Sequence, residues 1–376
     1  GENSLIFEFL MRIHREEAAY YSLGLSAPLP SGDAGRMLTK VIGPCVYSYG
    51  MAKAAELETV CPFDIFHISL SFQESEQDEY DELTGEMTYC FTRLRKAVPS
   101  IAKTGQKERF EELKRLSAGA DKRLAKLART YMNLTYKRKS LVCMASARVS
   151  CAEKLISLFN SQEKILIFGE RIAQAEELYR ILARRYPGRV GRCHSKIGEL
   201  ANRNNLERFR TGEYRILITC RALDEGVDIP DASTGIILSG TSAHRQRVQR
   251  LGRIIRKNEG KERAALYYLH MEKTAEDACY LPDFQGNRVY ELFYDSKKNN
   301  FLNPPYMAAA RQVLEDFRRK GVNENTFREI CRCLDKGCVR GDWTSAAELL
   351  DRRADEARGT AERNYWICMK KVREKV

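Results

Sequence analysis

YRILITCRALDEGVDIPDASTGIILSGTSAHRQRVQRLGRIIR, from Tyr214 to Arg256, is the stretch on which the reading of this chain turns. Arg215 to Thr219 is a short apolar run with the length and β-branched content of a buried strand. It opens into a loop bearing acids and a glycine, Asp224-Glu225-Gly226-Val227-Asp228. A second apolar run, Ile236 to Leu238, leads into a segment crowded with arginines. On a helix, residues three and four apart share a face, so Gln249, Arg253 and Arg256 project together. Two guanidiniums and an amide on one face suit a polyphosphate, because the planar fork of arginine matches phosphate oxygens. A solvated basic face would explain an isolated Arg-x-x-Arg equally well. The whole order of strand, acidic glycine loop, strand and arginine helix favours the phosphate reading.

Outward from this stretch the same alternation continues. Lys164-Ile-Leu-Ile-Phe168 reads as a strand and Ala173 to Tyr186 as an amphipathic helix closed by Pro187-Gly188. Val190 to His194 is a strand, Glu199 to Arg210 a helix ended near Gly212, and Ala264 to Leu269 a further strand. Strands that alternate with helices require crossovers and a parallel sheet, whose ligand sites are built by loops at the strand C-termini. The expected class is therefore α/β, with helices on both faces of a parallel sheet.

The remainder divides by composition. Residues 5 to 13 read as a buried helix and Ala18 to Leu25 as a short strand. Gly43-Pro44 marks a turn, and Ile65, Ile68 and Leu70 suggest an extended linker strand. Ser75 opens a long helical region with Glu76, Asp78 and Glu79 in its first turns, as the helix dipole favours. From Lys103 to Lys139 bases dominate, with Leu113, Leu116, Leu124, Leu127 and Leu134 as an apolar stripe. That region reads as a helical insertion with a charged outer face, or as a positively charged arm over a nucleic-acid backbone. Cys151 to Asn160 forms another helix. Tyr306 to Arg319, Thr326 to Asp335, Ser345 to Arg358 and Ala361 to Arg373 make a helical C-terminal module. Its Trp343, Tyr365 and Trp366 lie among arginines, either as core or as a stacking surface.

The 376 residues are 43% hydrophobic and 30% charged, with a net charge of +12 and a pI of about 9.1. Such a balance favours a polyanionic partner, nucleic acid before membrane. No run approaches the roughly 20 apolar residues of a membrane span. The 12 cysteines form no disulfide framework, and Cys331, Cys333 and Cys338 lack the paired spacing and histidine of a zinc site. Reduced thiols and a cytoplasmic location are the expectation, with no metal site.

The segments Ile216-LITCRALDEGVDIP and Gln249-RLGRIIR resemble motifs V and VI of superfamily 2 helicases (DEAD/DEAH-box type). The pattern is closest to that of restriction-enzyme translocases and XPB-type DNA helicases. Leu23-Gly24-Leu25-Ser26-Ala27 resembles motif III, with Pro28 where the family has threonine. Phe168-Gly169-Glu170 resembles motif IV, and His194-Ser195 the nucleic-acid-contacting motif after it. The resemblance implies a RecA-like sheet and a set of roles. Arg253 and Arg256 would be arginine fingers, stabilising charge that develops during phosphoryl transfer. Gln249, Gly226 and Asp228 would bind nucleotide, and Thr219, His194, Ser195 and Gly169 nucleic acid. Ser26 would couple nucleotide state to the second domain. His194 is not read as a general base.

The resemblance also implies an organisation. Residues 1–44 would end a first motor domain and 45–75 would link the domains. Residues 76–160 would form a helical insertion leading into domain 2, 161–280 the RecA-like domain 2 itself, and 281–376 a helical C-terminal extension. The family hydrolyses ATP with a phosphate-cradling GxxxxGK[ST] loop and a DExH carboxylate pair for Mg2+, and this sequence contains neither pattern. The expected function is the C-terminal part of an ATP-dependent DNA helicase or translocase, DNA ahead of RNA, inactive as an ATPase alone. The N-terminal motor half would be supplied in cis or in trans. The alternative is a naturally truncated, non-catalytic nucleic-acid-binding or adaptor protein.

Overall fold

In the computed structural model, β2 (Ile165–Gly169) and β4 (Ile216–Cys220) are buried at every position. These are the continuous apolar runs of the sequence, and burial on both faces is what a parallel sheet demands of them. The structure describes residues 23–24, 35–36, 39–40, 42–50, 53–54, 57, 59–103, 105–220, 232–239, 252, 254, 256, 261, 263–276 and 288–376, with only the backbone of 106 and 107. Within them, β1 (Phe63–Leu70), β3 (Val190–Cys193), β5 (Thr234–Ile237), β6 (Ala264–Met271), β7 (Arg288–Asp295) and β8 (Asn300–Leu302) join β2 and β4. The eight strands form one sheet in the order β3-β4-β2-β5-β6-β1-β7-β8. All pairs are parallel except the hairpin of β7 and β8.

Alternate residues of each strand feed two cores. Ile165, Ile167, Ile216, Ile218, Ile236 and Leu238 face one side. Leu166, Phe168, Leu217, Ile237, Leu266 and Tyr268 face the other. On the first side lie α4 (Ser146–Leu158), α5 (Ile172–Arg185) and the C-terminal helices. On the second lie Phe209 of α6 (Glu199–Arg210) and Ile254. Helices cover both faces, as expected.

Before α4, α1 (Glu74–Ala97), α2 (Gln106–Ala118) and α3 (Lys122–Met144) pack together. Leu83, Met87 and Cys90 meet Leu134, while Leu94, Ile101 and Leu113 meet Ala128. The leucine stripe thus closes a small core of its own. Glu76 ties this unit to the sheet domain: one carboxylate oxygen accepts from Gln73 N at 3.0 Å and the other from Ser146 N at 2.9 Å, joining the starts of α1 and α4.

The strand expected around Ile65–Leu70 forms as β1, lying inside the sheet between β6 and β7. Phe66 stacks on Tyr267 of β6 and on Tyr290 of β7, both at 4.6 Å between centroids. Strands β7 and β8 were not anticipated. Tyr290, Leu292 and Tyr294 do alternate inward, but the outward Glu291 and the flanking polar residues mask the run.

The C-terminal module consists of α7 (Pro304–Arg319), α8 (Glu324–Arg340), α9 (Ala347–Asp355) and α10 (Thr360–Arg373). Helix α8 runs five residues beyond the expected Asp335, through Gly337. A Cβ on Gly337 would stand 2.2 Å from Met369 Cε, so this glycine serves close helix packing rather than termination. Gly341 ends α8 with φ +67, beneath the Tyr290 ring. Tyr365 donates to Asp342 at 2.6 Å and Trp343 packs on Tyr306, which puts these aromatics in the core rather than on a stacking surface. Cys333 and Cys338 are buried on α8. Among the described residues no helix is long and apolar enough to cross a membrane.

Candidate functional site

Because the strands are parallel, each described motif residue can be assigned to one edge of the sheet. Gly169 ends β2 opposite Cys220, and Cys193, just before His194, lies opposite Thr219. Gly169, His194, Ser195 and Thr219 therefore share the C-terminal edge. The β2 connection leads to one side, toward β3, and the β5 connection to the other, toward β6. The two strands are neighbours, so the switch point at which open α/β sheets bind ligands lies between them. There Glu170 N donates to Ser239 Oγ at 2.9 Å.

The side chains at this edge are already engaged. The Thr219 hydroxyl, buried in the sheet, donates to Ile167 O at 3.1 Å, so in this arrangement it has no proton for a phosphate oxygen. His194 is 2% exposed. Its Nε2 lies 2.5 Å from Glu176 Oε1 and its Nδ1 accepts from Lys196 N at 3.3 Å. Its backbone exchanges two hydrogen bonds with the Asn202 amide, at 3.0 and 3.1 Å. The ring organises the turn from which Ser195 is exposed. A Cβ on Gly169 would make only ordinary contacts, 3.7 Å to Thr219 O.

Arg148, unnoticed in the sequence, is the polar centre of this edge. It is fully buried on α4. Nε donates to Val142 O at 2.8 Å, and Nη1 to Leu238 O and Leu269 O at 2.8 and 2.9 Å. Nη2 pairs with Glu276, whose Oε2 also accepts from Met271 N at 3.0 Å. One guanidinium thus joins the end of α3, the exit of β5 and the end of β6. A signal existed: α4 is built of small and apolar residues wherever it is buried, apart from this arginine. Nearby, Glu170 is buried 3.5 Å from Lys139 Nζ. Burial and then the Glu170 carboxylate push the Cys143 thiol up to about 11.

Arg256 lies at the opposite edge. It bridges Val60, which precedes β1. Lys261, which precedes β6, donates to Arg256 O at 3.1 Å, to Ile254 O, and to Ala232 O, before β5, at 2.8 Å. These neighbours all sit at strand beginnings, so a strand length of ~15 Å separates Arg256 from the C-terminal edge. Ile254 is buried on the sheet. Gly235 makes room for it, since a Cβ there would stand 2.8 Å from Ile254 Cγ1. Two residues on, the Arg256 side chain is exposed. The structure thus divides the expected site residues between two edges. Arg253, Gln249, Gly226, Asp228 and Ser26 lie outside the described residues.

The sheet is parallel apart from β7 and β8, carries helices on both faces, and has the described motif residues at its strand ends. Residues 147–258 match the family model of the helicase conserved C-terminal domain. The chain is 26% identical over 244 residues to the DNA 3'-5' translocase XPB2 of Sulfurisphaera tokodaii, covering 64% of this chain and 51% of the relative. It is 26% identical over 191 residues to the UvrABC system protein B of Prochlorococcus marinus, covering 50% of this chain and 26% of the relative. Among solved structures, the SWI2/SNF2 ATPase C-terminal domain of Sulfolobus solfataricus matches with a TM-score of 0.36 and 11% identity, over 58% of this chain and 82% of that one. Residues 147–258 thus resemble a helicase C-terminal domain, and the chain's relatives include an XPB-type translocase. It spans about half the length of the XPB2 relative and about a quarter of the UvrABC system protein B.

Proposed function

We propose that this chain is the C-terminal motor part of an ATP-dependent DNA helicase or translocase. The observation that carries the reading is the helicase C-terminal match of residues 147–258, laid on a sheet whose two edges separate the motif residues. Arg256, exposed at the N-terminal edge with Arg253 three residues before it, serves as an arginine finger toward the γ-phosphate of ATP-Mg2+. That nucleotide is held mainly by a first motor domain carrying the GxxxxGK[ST] loop and DExH pair, in cis or in trans. Gln249, Gly226 and Asp228 complete the nucleotide contacts, and Ser26 couples the domains. At the C-terminal edge, Ser195 and the backbone around Gly169 and Thr219 meet the nucleic acid, with His194 holding the turn. The residue ranges given above describe the division of the chain into motor remnant, linker, insertion, second motor domain and extension.

Alone, the chain binds DNA but does not turn over ATP. Combined with a polypeptide that carries the missing loop and carboxylate pair, DNA-stimulated hydrolysis appears, and Arg256→Ala lowers it by about 10³-fold or more. Robust turnover by the chain alone, lost in Arg256→Ala, would overturn the assignment of half a site. Salt-dependent DNA binding with no effect of ATP in any combination would support a non-catalytic adaptor instead.

A further inference from the structure

The charge along α3 has no part in the function just described. Its 23 residues include Lys122, Arg123, Lys126, Arg129, Lys137, Arg138 and Lys139, and no acid. At about 100° per residue, Lys122, Lys126, Arg129, Asn133, Tyr136 and Lys137 fall in one stripe ~22 Å long. All six are exposed, while Ala128 and Leu134, turned away from the stripe, are buried.

Cations elsewhere on the surface are commonly matched along their own helix, as in Arg203–Glu199, Arg210–Glu207, Arg319–Glu315 and Arg328–Glu324. Lys122, Arg123, Lys126 and Lys137 pair with no carboxylate among the described residues. Lys122 and Lys126 stand one turn apart, a like-charge spacing that destabilises a helix. Lys122 and Arg123 also occupy the first turn, the positive end of the helix dipole. The stripe is unfavourable for the isolated helix and becomes favourable against a polyanion.

Its position specifies the polyanion's course. At the root of α3, Lys139 reaches Glu170, the residue after Gly169, so the stripe runs outward from the C-terminal edge of the sheet. The neighbouring α1 carries seven acids between Glu74 and Glu86, which confines a polyanion to the α3 side. Single strands are held by stacking on aromatics, but Tyr136 is the only aromatic in the stripe, and its ring meets Phe110 edge-on at 6.2 Å.

We propose that this α3 stripe is a rail for the phosphate backbone of duplex DNA leading to or from the C-terminal edge. The proposal rests on the DNA reading above only for the identity of the polyanion.

The test is fluorescence anisotropy of the full chain with a duplex of arbitrary sequence over a salt series. Two variants carry equal charge loss. One is Lys122→Gln, Lys126→Gln, Arg129→Gln and Lys137→Gln; the other is Arg319→Gln, Lys320→Gln, Arg328→Gln and Arg332→Gln, on the exposed surface of the C-terminal module. The α3 variant is expected to melt with the wild type and to lower the slope of log K against log salt by about 3 to 4, near 0.9 per lost phosphate contact. The control variant keeps the wild-type slope. Equal losses in both variants, or an unchanged slope in the α3 variant, overturn the rail. A larger loss for single-stranded DNA than for duplex overturns the choice of duplex. A wild type that binds no DNA at all overturns the underlying DNA reading instead.

Discussion

At the C-terminal edge of the sheet, the Thr219 hydroxyl, the His194 ring and the Arg148 guanidinium all bond to the protein itself. At the N-terminal edge, Arg256 is held through its backbone, by the Val60 bridge and by Lys261, and its side chain is exposed. One edge is shaped by side chains that leave their backbones and loops to face a partner. The other is shaped by backbone contacts that present a side chain. The difference matters because a family motif states which residues matter without stating which part of each residue acts. Substitutions at the first edge should therefore register in stability before function, and at the second in function before stability.

The largest test of this contrast is Arg148→Met. It strands Glu276 and three buried carbonyls, and the expected loss is about 3–5 kcal/mol, read by urea unfolding. A loss under about 1 kcal/mol would mean that Arg148 does not organise the C-terminal edge. Next is a pH effect on the neighbouring strands. Burial, and then His270, holds His67 on β1 down to about 4. The unfolded chain takes up its proton near 6.5 and the folded one does not, so stability is present above that value and is lost as pH falls from 6.5 toward 4. The loss attributable to His67 is on the order of 3 kcal/mol at most, and His67→Gln should flatten this part of the pH–stability curve.

At the N-terminal edge, Gly235→Val should force Ile254 off the sheet, costing about 1–3 kcal/mol and displacing Arg256 with it. The sharpening observation is that DNA binding by the chain persists while nucleotide turnover in the reconstituted motor falls. The smallest effect is expected from Thr219→Val. It should cost about 1 kcal/mol, the net value of a hydrogen bond, and leave DNA affinity unchanged. A Thr219→Val protein of wild-type stability that binds DNA tenfold more weakly would show that the hydroxyl, rather than the backbone, faces the partner.

Much of the fold could be read locally. Strands β2 and β4 are nearly continuous apolar runs, and α6 occupies the expected Glu199 to Arg210. Strand β1 was legible as extended, but its place between β6 and β7 depends on partners far along the chain. The same holds at the site. The spacing of Gln249, Arg253 and Arg256 is a local pattern, whereas the assignment of Arg256 and Thr219 to different edges follows from strand order. Arg148 escaped because its four acceptors are far apart in sequence and meet only when three elements close around it. His194 was set aside as a base, and its bond to Glu176 shows what the ring holds in the structure.

The insertion of β1 between β6 and β7 also has a consequence in time. Ser69 of β1 bonds to His270 of β6, 201 residues later. At roughly 5–20 residues per second, the ribosome needs about 10–40 s to deliver that partner. Through that interval β1 is an apolar segment with two unsatisfied edges, and no strand made earlier among the described residues pairs with it. Such pairing is slow to form and open to mispairing while it waits. In the newborn chain, the strand at the heart of one half of the sheet is therefore the natural target for a chaperone.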